Sequence, residues 1–168
     1  LMAFALLFGY LFLVGQYESW TVPVPVILSI SVAILGALGG LLIIKLPLSI
    51  YAQLGMVMLV GLASKNAILI VEFSKQLREG GASIDEAALG GAKTRYRAVL
   101  MTAYSFILGV LPMVVATGAG AGSRRAIGTT TFYGMVLATI VGIVFVPALY
   151  ALFQRARESV NSLFRRKS

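Results

Sequence analysis

Five long stretches of this chain carry no charged residue at all: 1–17, 19–44, 46–64, 98–123 and 126–154. An apolar run of about 20 residues is long enough to cross a bilayer. In lipid it does so as a helix, because every backbone amide must be bonded internally. The runs therefore predict an all-α integral membrane protein with no sheet and five transmembrane helices, at 1–15, 24–44, 53–73, 98–117 and 128–152. Composition agrees. Of 168 residues 59% are hydrophobic and only 12% charged, against roughly 25% charged in soluble domains, and the mean hydropathy is +0.93. A soluble core of this length cannot bury so much apolar surface, which excludes a soluble enzyme. Lipid is the expected solvent for most of the chain.

Two absences narrow the chemistry. Without cysteine there is no disulfide framework, thiolate nucleophile or sulfur metal site. Without histidine the commonest metal ligand and proton shuttle is missing. Neither a metal site nor a cofactor is expected, and any proton chemistry must use Lys, Arg, acids or hydroxyls. The net charge of +8 does not point to nucleic acid, because the basic residues flank apolar runs and form no stripe interleaved with stacking aromatics.

Those flanking charges set the orientation. Lys75, Arg78, Lys93, Arg95, Arg97, Arg155, Arg157, Arg165, Arg166 and Lys167 fall on one side, and only Lys45, Arg124 and Arg125 on the other. The positive-inside bias puts the 74–97 loop and the basic 153–168 tail in the cytoplasm. The first span starts at Leu1 with neither an initiating Met nor a basic n-region. The chain, 1–168, is therefore expected to be a C-terminal transmembrane fragment of something longer.

Shorter signals lie between the spans. Ser83-Ile84-Asp85-Glu86 is a capping box, which predicts a short amphipathic helix within the 74–97 loop. Gly36 and Gly40 form a GxxxG pattern, suited to close helix packing. Thr117-Gly118-Ala119-Gly120-Ala121-Gly122 is glycine-rich, but no Gly-Lys-Ser/Thr follows, so it is not a phosphate cradle. It is read as a flexible outer turn.

Lys65 is the most informative residue. It lies ten positions before Lys75 at the expected membrane edge, about 15 Å along a helix, near the middle of a roughly 30 Å hydrocarbon core. A charge at that depth costs about 3 kcal/mol or more and ordinarily faces a partner or a cavity. A structural lysine would be satisfied by backbone carbonyls and Asn66, or by a shift that lets it snorkel. A functional one would relay protons, because a desolvated lysine keeps its charge only beside a carboxylate. The six acids are Glu18, Glu72, Glu79, Asp85, Glu86 and Glu158, all at span edges, in the loop or in the tail. The partner acid must then come from a helix outside this chain. On the next helix, Arg95 and Thr102 are seven apart and share a face. Thr102 approaches the depth of Lys65. Packing and interfacial anchoring remain the ordinary alternatives for these two.

Several strings now recur in a familiar order: Tyr17-Glu18-Ser19-Trp20, Lys65-Asn66-Ala67-Ile68-Leu69-Ile70-Val71-Glu72-Phe73, Leu100-Met101-Thr102, Phe106-Ile107-Leu108-Gly109, Thr117-Gly118-Ala119-Gly120, Gly134-Met135 and Phe145-Val146-Pro147. In combination they resemble the resistance-nodulation-division multidrug efflux transporters, the AcrB-like hydrophobe/amphiphile branch, from the eighth to the twelfth membrane helix. The resemblance implies a secondary active transporter of the bacterial inner membrane, not an enzyme. It would exchange protons, the coupling ion, for drugs, dyes, detergents or bile salts. It also implies a homotrimer joined to a periplasmic adaptor protein and an outer-membrane channel. In that family an intramembrane aspartate pair takes up the proton. By resemblance, Lys65 is its counter-ion, Arg95 lies toward the cytoplasmic access path, Thr102 is a hydrogen-bonding relay and Asn66 is a possible neighbour. The aspartates belong to the remainder of such a chain. Ala98 departs from the pattern, standing where many relatives have a proline that opens the helix.

Other functions keep parts of this reading. A lipid or metal exporter of the same superfamily would share the architecture, although a metal pump should show paired Met or Cys and the six Met here are scattered. A retinal-binding lysine would need aromatic walls, whereas Lys65 has Gly, Ala, Ser and Asn around it. A non-transporting assembly module would leave Lys65 merely structural.

Overall fold

The computed structural model describes residues 2–17 and 23–165. Five helices follow in order: α1 (Met2–Tyr17), α2 (Pro23–Ile44), α3 (Ile50–Glu79), α4 (Ile84–Val114) and α5 (Ala121–Arg165). No strand occurs among the described residues. The protein is an all-α membrane protein. Four helices, α2 to α5, are long and apolar enough to cross a bilayer. The described part of α1, 16 residues, extends about 24 Å, short of a 30 Å core. Glu18, Ser19, Trp20, Arg166 and Lys167 lie outside the described residues.

α5 is the central post, packed against α2, α3 and α4, while α1 leans on α2 and α3 alone. Each inner helix contributes a stripe at helical spacing. On α2 the stripe is Val26, Ile30, Ala33, Ala37 and Leu41, each no more than 4% exposed. One core cluster joins Val26 to Ile70 and Val71 of α3, Val99 of α4, and Val146 and Tyr150 of α5. A second joins Ala33 and Ala37 to Met56, Leu59, Ala103 and Met135.

Glycine sets how closely α2 and α5 approach. A Cβ on Gly36 would sit 2.7 Å from Leu137 Cβ and 2.8 Å from the Tyr133 carbonyl oxygen. One on Gly40 would meet Tyr133 Cβ at 2.5 Å. Larger residues at these positions would push the helices apart.

The helix ends follow local chemistry. Past α2, Lys45 adopts the left-handed conformation (φ 57°). Its N–H donates to the Leu42 carbonyl (3.2 Å), and that of Leu46 to Leu41 (2.9 Å). These bonds satisfy carbonyls that the helix end would leave orphaned. Ser49 then caps α3, accepting from the Ala52 N–H. At α4, Ser83 Oγ accepts from the Glu86 N–H (3.3 Å) and the Glu86 carboxylate accepts from the Ser83 N–H (3.0 Å). On the opposite side of the bundle, Arg124 folds back over the glycine-rich turn and donates to the Ala119 carbonyl (2.6 Å).

The segment expected as a loop over 74–97 differs. α3 continues to Glu79 and α4 starts at Ile84, so only residues 80–83 form the connection. The expected short amphipathic helix is the first part of α4, not a separate element. Once the capping box starts that helix, no glycine pair or proline is strong enough to stop it before the apolar span, and Ala98 lets the turns run on. The 153–168 tail likewise begins as helix, since α5 continues to Arg165.

Beyond the apolar segments, charges tie these extensions together. Arg78 grips Glu158 with two parallel bonds, Nε to Oε1 at 2.9 Å and Nη2 to Oε2 at 2.8 Å. Its third nitrogen donates to the Ala82 carbonyl (2.8 Å). Gln154 adds a bond to Glu158 (2.9 Å). These partners hold the Glu158 carboxyl below its ordinary range, the Arg78 hydrogen bond foremost and Gln154 next. Arg155 pairs with Asp85 at 2.6 Å, joining α5 to the start of α4.

Candidate functional site

α3 has two unlike faces. Met56, Leu59, Ala63, Ala67, Ile70 and Ser74 turn into the bundle and are buried. Tyr51, Leu54, Met58, Gly61, Lys65 and Glu72 form a stripe at spacings of three, four and seven, and all are exposed. Burying the small residues Ala63 and Ala67 against α2, α4 and α5 leaves Lys65 on the outer face. Its ammonium thus projects from the bundle near mid-span.

No carboxylate among the described residues meets it. Glu79 lies 3.8 Å from Lys75, Asp85 pairs with Arg155, and Glu158 with Arg78. Glu86 is engaged by Ser83. Glu72 shares the exposed stripe but lies seven residues away, about 10 Å along the axis.

Thr102 is also exposed, because its neighbours Val99 and Ala103 are the α4 residues that enter the core. Its hydroxyl donates within its own helix, shared between the carbonyls of Ala98 (3.1 Å) and Val99 (3.0 Å). The oxygen keeps lone pairs free to accept. Arg95 is half-buried and sits over the ring of Phe73 of α3, its guanidinium carbon 3.9 Å from the ring centroid. Arg95 Nε is buried without a hydrogen-bond partner, so the aromatic face is the main compensation for that edge of the cation.

The four candidates do not converge on one point. No hydrogen bond or ion pair among the described residues links Lys65 to Arg95, Thr102 or Asn66. Lys65 and Thr102 are exposed on adjacent helices, and Arg95 lies lower, toward the charged end. Asn66, about 100° around the helix from Lys65, points inward and lines a cavity with Ser29 and Thr139. Phe73 was not singled out by sequence, although it closes the Lys65–Phe73 string. Its pairing with Arg95 depends on how a short turn registers α3 against α4. Among the described residues no group of three or more His, Asp or Glu could hold a metal. The arrangement offers one amine near the middle of α3, one hydroxyl on α4 and one guanidinium stacked on an aromatic ring.

Comparison with known proteins places this sequence in a family. A sequence model of the AcrB/AcrD/AcrF family matches residues 1–154. The chain is 43% identical over 164 residues to the toluene efflux pump membrane transporter TtgB of Pseudomonas putida, covering 98% of the chain and 15% of that protein. It is 45% identical over 161 residues to the solvent-resistant pump membrane transporter SrpB of the same species (95% and 15%). To the multidrug export protein AcrF of Escherichia coli it is 40% identical over 156 residues (92% and 15%). The chain thus spans about 15% of the length of these relatives. With a family match across nearly its whole length and identities of this size, the chain belongs to the AcrB/AcrD/AcrF family of membrane proteins.

Proposed function

We propose that this chain is part of a proton-driven efflux transporter of the bacterial inner membrane and carries part of its proton relay. The observation that supports this most is Lys65, an ammonium near mid-span on an exposed helix face, with no carboxylate partner among the described residues. That stripe is where further helices of a longer chain dock, bringing an acidic pair to the lysine. With those acids ionised, Lys65 bridges to them and holds the two halves together. Protonation removes the attraction and frees Lys65 toward Thr102, whose oxygen can accept. Arg95, lower on the same helix as Thr102, sits on the path by which protons reach the cytoplasmic side. One charge crossing 100 mV supplies about 2.3 kcal/mol, enough to bias a two-state helix arrangement.

The cargo in this reading is amphiphilic: drugs, dyes, detergents or bile salts. Relatives named for toluene, solvent and multidrug export support that class. The assembly is a homotrimer with a periplasmic adaptor and an outer-membrane channel, and the charged ends of α3, α4 and α5 face the cytoplasm.

The test is dye efflux from energised cells carrying the full-length transporter with Lys65→Ala, with membrane expression and trimer assembly measured alongside. Loss of efflux at normal expression supports the relay. Unchanged efflux makes Lys65 a structural lysine and sinks the reading.

A further inference from the structure

A small cavity in the bundle, whose largely apolar lining includes Ser29, Asn66 and Thr139, lies apart from Lys65, Arg95 and Thr102. It has a volume of about 20 Å³, against the roughly 10–15 Å³ that admits one water molecule. All four inner helices line it: Ser29 from α2, Ala63 and Asn66 from α3, Val99 from α4, and Thr139 and Gly142 from α5. Ser29 and Thr139 are only 6% and 8% exposed.

The hydrogen-bonding capacity of the three polar residues is complementary to water. The Ser29 hydroxyl donates to the Val26 carbonyl (2.7 Å) and the Thr139 hydroxyl to the Met135 carbonyl (2.7 Å). Both protons are thus committed to their own helices, and both oxygens can only accept from the cavity. The Asn66 amide brings two N–H donors and a carbonyl oxygen. A water that donates to Ser29 Oγ and Thr139 Oγ1 and accepts one N–H from the Asn66 amide would use both hydroxyl acceptors and one of the amide donors. Buried waters typically make two to four hydrogen bonds to polar groups, and three polar side chains among an otherwise apolar lining supply that many.

We propose that Ser29, Asn66 and Thr139 form a binding site for one ordered water, and that this bridge fixes the rotation of α3 that turns Lys65 outward. Asn66 is the next residue after Lys65, so anchoring its amide to α2 and α5 sets the direction of the lysine about 100° away. Asn66, Ser29 and Thr139 are positioning residues in this account. The water site stands by itself, and only its effect on Lys65 rests on the relay reading above.

The test is a density map of the full-length transporter fine enough to show ordered water, taken for the unaltered protein, Thr139→Val, Thr139→Ser and Ser29→Ala. The expected result is a peak within hydrogen-bond distance of all three side chains. It should be absent in Thr139→Val, weakened in Ser29→Ala and retained in Thr139→Ser. A dry cavity in the unaltered protein, or an Asn66 amide bonded directly to either hydroxyl, overturns the site. Dye efflux against pH is then read for the same variants. Thr139→Val should slow efflux about threefold to tenfold, the scale of one lost bridging bond, and displace the pH profile, with Thr139→Ser restoring both. An unmoved pH profile in Thr139→Val overturns the positioning role. If instead Lys65→Ala pumps normally while the peak is present, the relay reading falls and the water site stands.

Discussion

The Arg95 guanidinium carbon lies 3.9 Å above the centroid of the Phe73 ring, so α3 and α4 are clasped by a cation on an aromatic face. A cation–π contact of this kind is worth about 0.5–2 kcal/mol. If the proposed proton relay operates in the full-length protein, Phe73→Leu should slow dye efflux by about twofold to thirtyfold and move its pH profile. Phe73→Tyr keeps the ring and should leave both near normal. If Phe73→Leu and Phe73→Tyr behave alike, the stack does not position Arg95.

Neighbouring glycines on α2 should answer differently to the same change. Gly36→Ala puts a methyl against Leu137 and a backbone oxygen that cannot retreat, and should destabilise by about 1–3 kcal/mol. Gly39 has nothing within 4 Å of its Cβ position, so Gly39→Ala should stay within about 0.5 kcal/mol. Thermal unfolding of the detergent-solubilised transporter separates the two. Equal effects would mean that α2 and α5 are not packed as described.

The Arg78–Glu158 pair should leave an acid signature. The Glu158 carboxyl is held below its ordinary value of 4.5, mainly by the Arg78 hydrogen bond. A depressed folded value means the pair's contribution is complete above the unfolded carboxylate pKa and is lost as pH falls through the folded one. Glu158→Gln should therefore lower the unfolding temperature by a constant amount between pH 5 and 8. That difference should shrink as pH falls below the ordinary carboxylate value and then through the lower one of the folded state. Both side chains are about one-third exposed, at 31% and 38%, so the constant amount should be small. A difference that grows on acidification contradicts this account.

Thr102 separates a hydroxyl role from a packing role. Its proton is held by the Ala98 and Val99 carbonyls, leaving the oxygen as acceptor toward the exposed face. Thr102→Val preserves shape and removes that acceptor, and should cut efflux about tenfold or more if a lysine is received there. Thr102→Ser should retain most activity. Normal efflux in Thr102→Val would reduce Thr102 to a packing residue.

Uncharged runs marked the four helices long and apolar enough to cross a bilayer, because lipid tolerates few charges. The reach of the helices past the spans was harder to see. Leu77, Arg78, Ala87 and Ala88 carry no transfer-energy signal of a membrane helix, yet they remain helical because Arg78, Glu158, Asp85 and Arg155 tie three ends together. The Ser83 capping box was visible as a local pattern, but the length of helix it starts was not. Within the site, Lys65 declared itself by cost alone. Phe73, Ser29 and Thr139 could not, since an aromatic or a hydroxyl in an apolar run is ordinary, and only the register between helices brings each to its partner.

The turn between α3 and α4 is four residues long, and Arg78 laces it to its own carbonyl and to α5. Such a joint has no slack. The helix backbones that carry Lys65 on one arm and Arg95 and Thr102 on the other are therefore tied at one end, while the Lys65 side chain can still swing by itself. If the full-length protein runs the proposed transport cycle, its motion should fall at the seam between this block and the segments that pack against its exposed faces. Changes that loosen that seam should alter how fast the cycle turns, while changes that loosen the turn should blunt how tightly protons and cargo are geared.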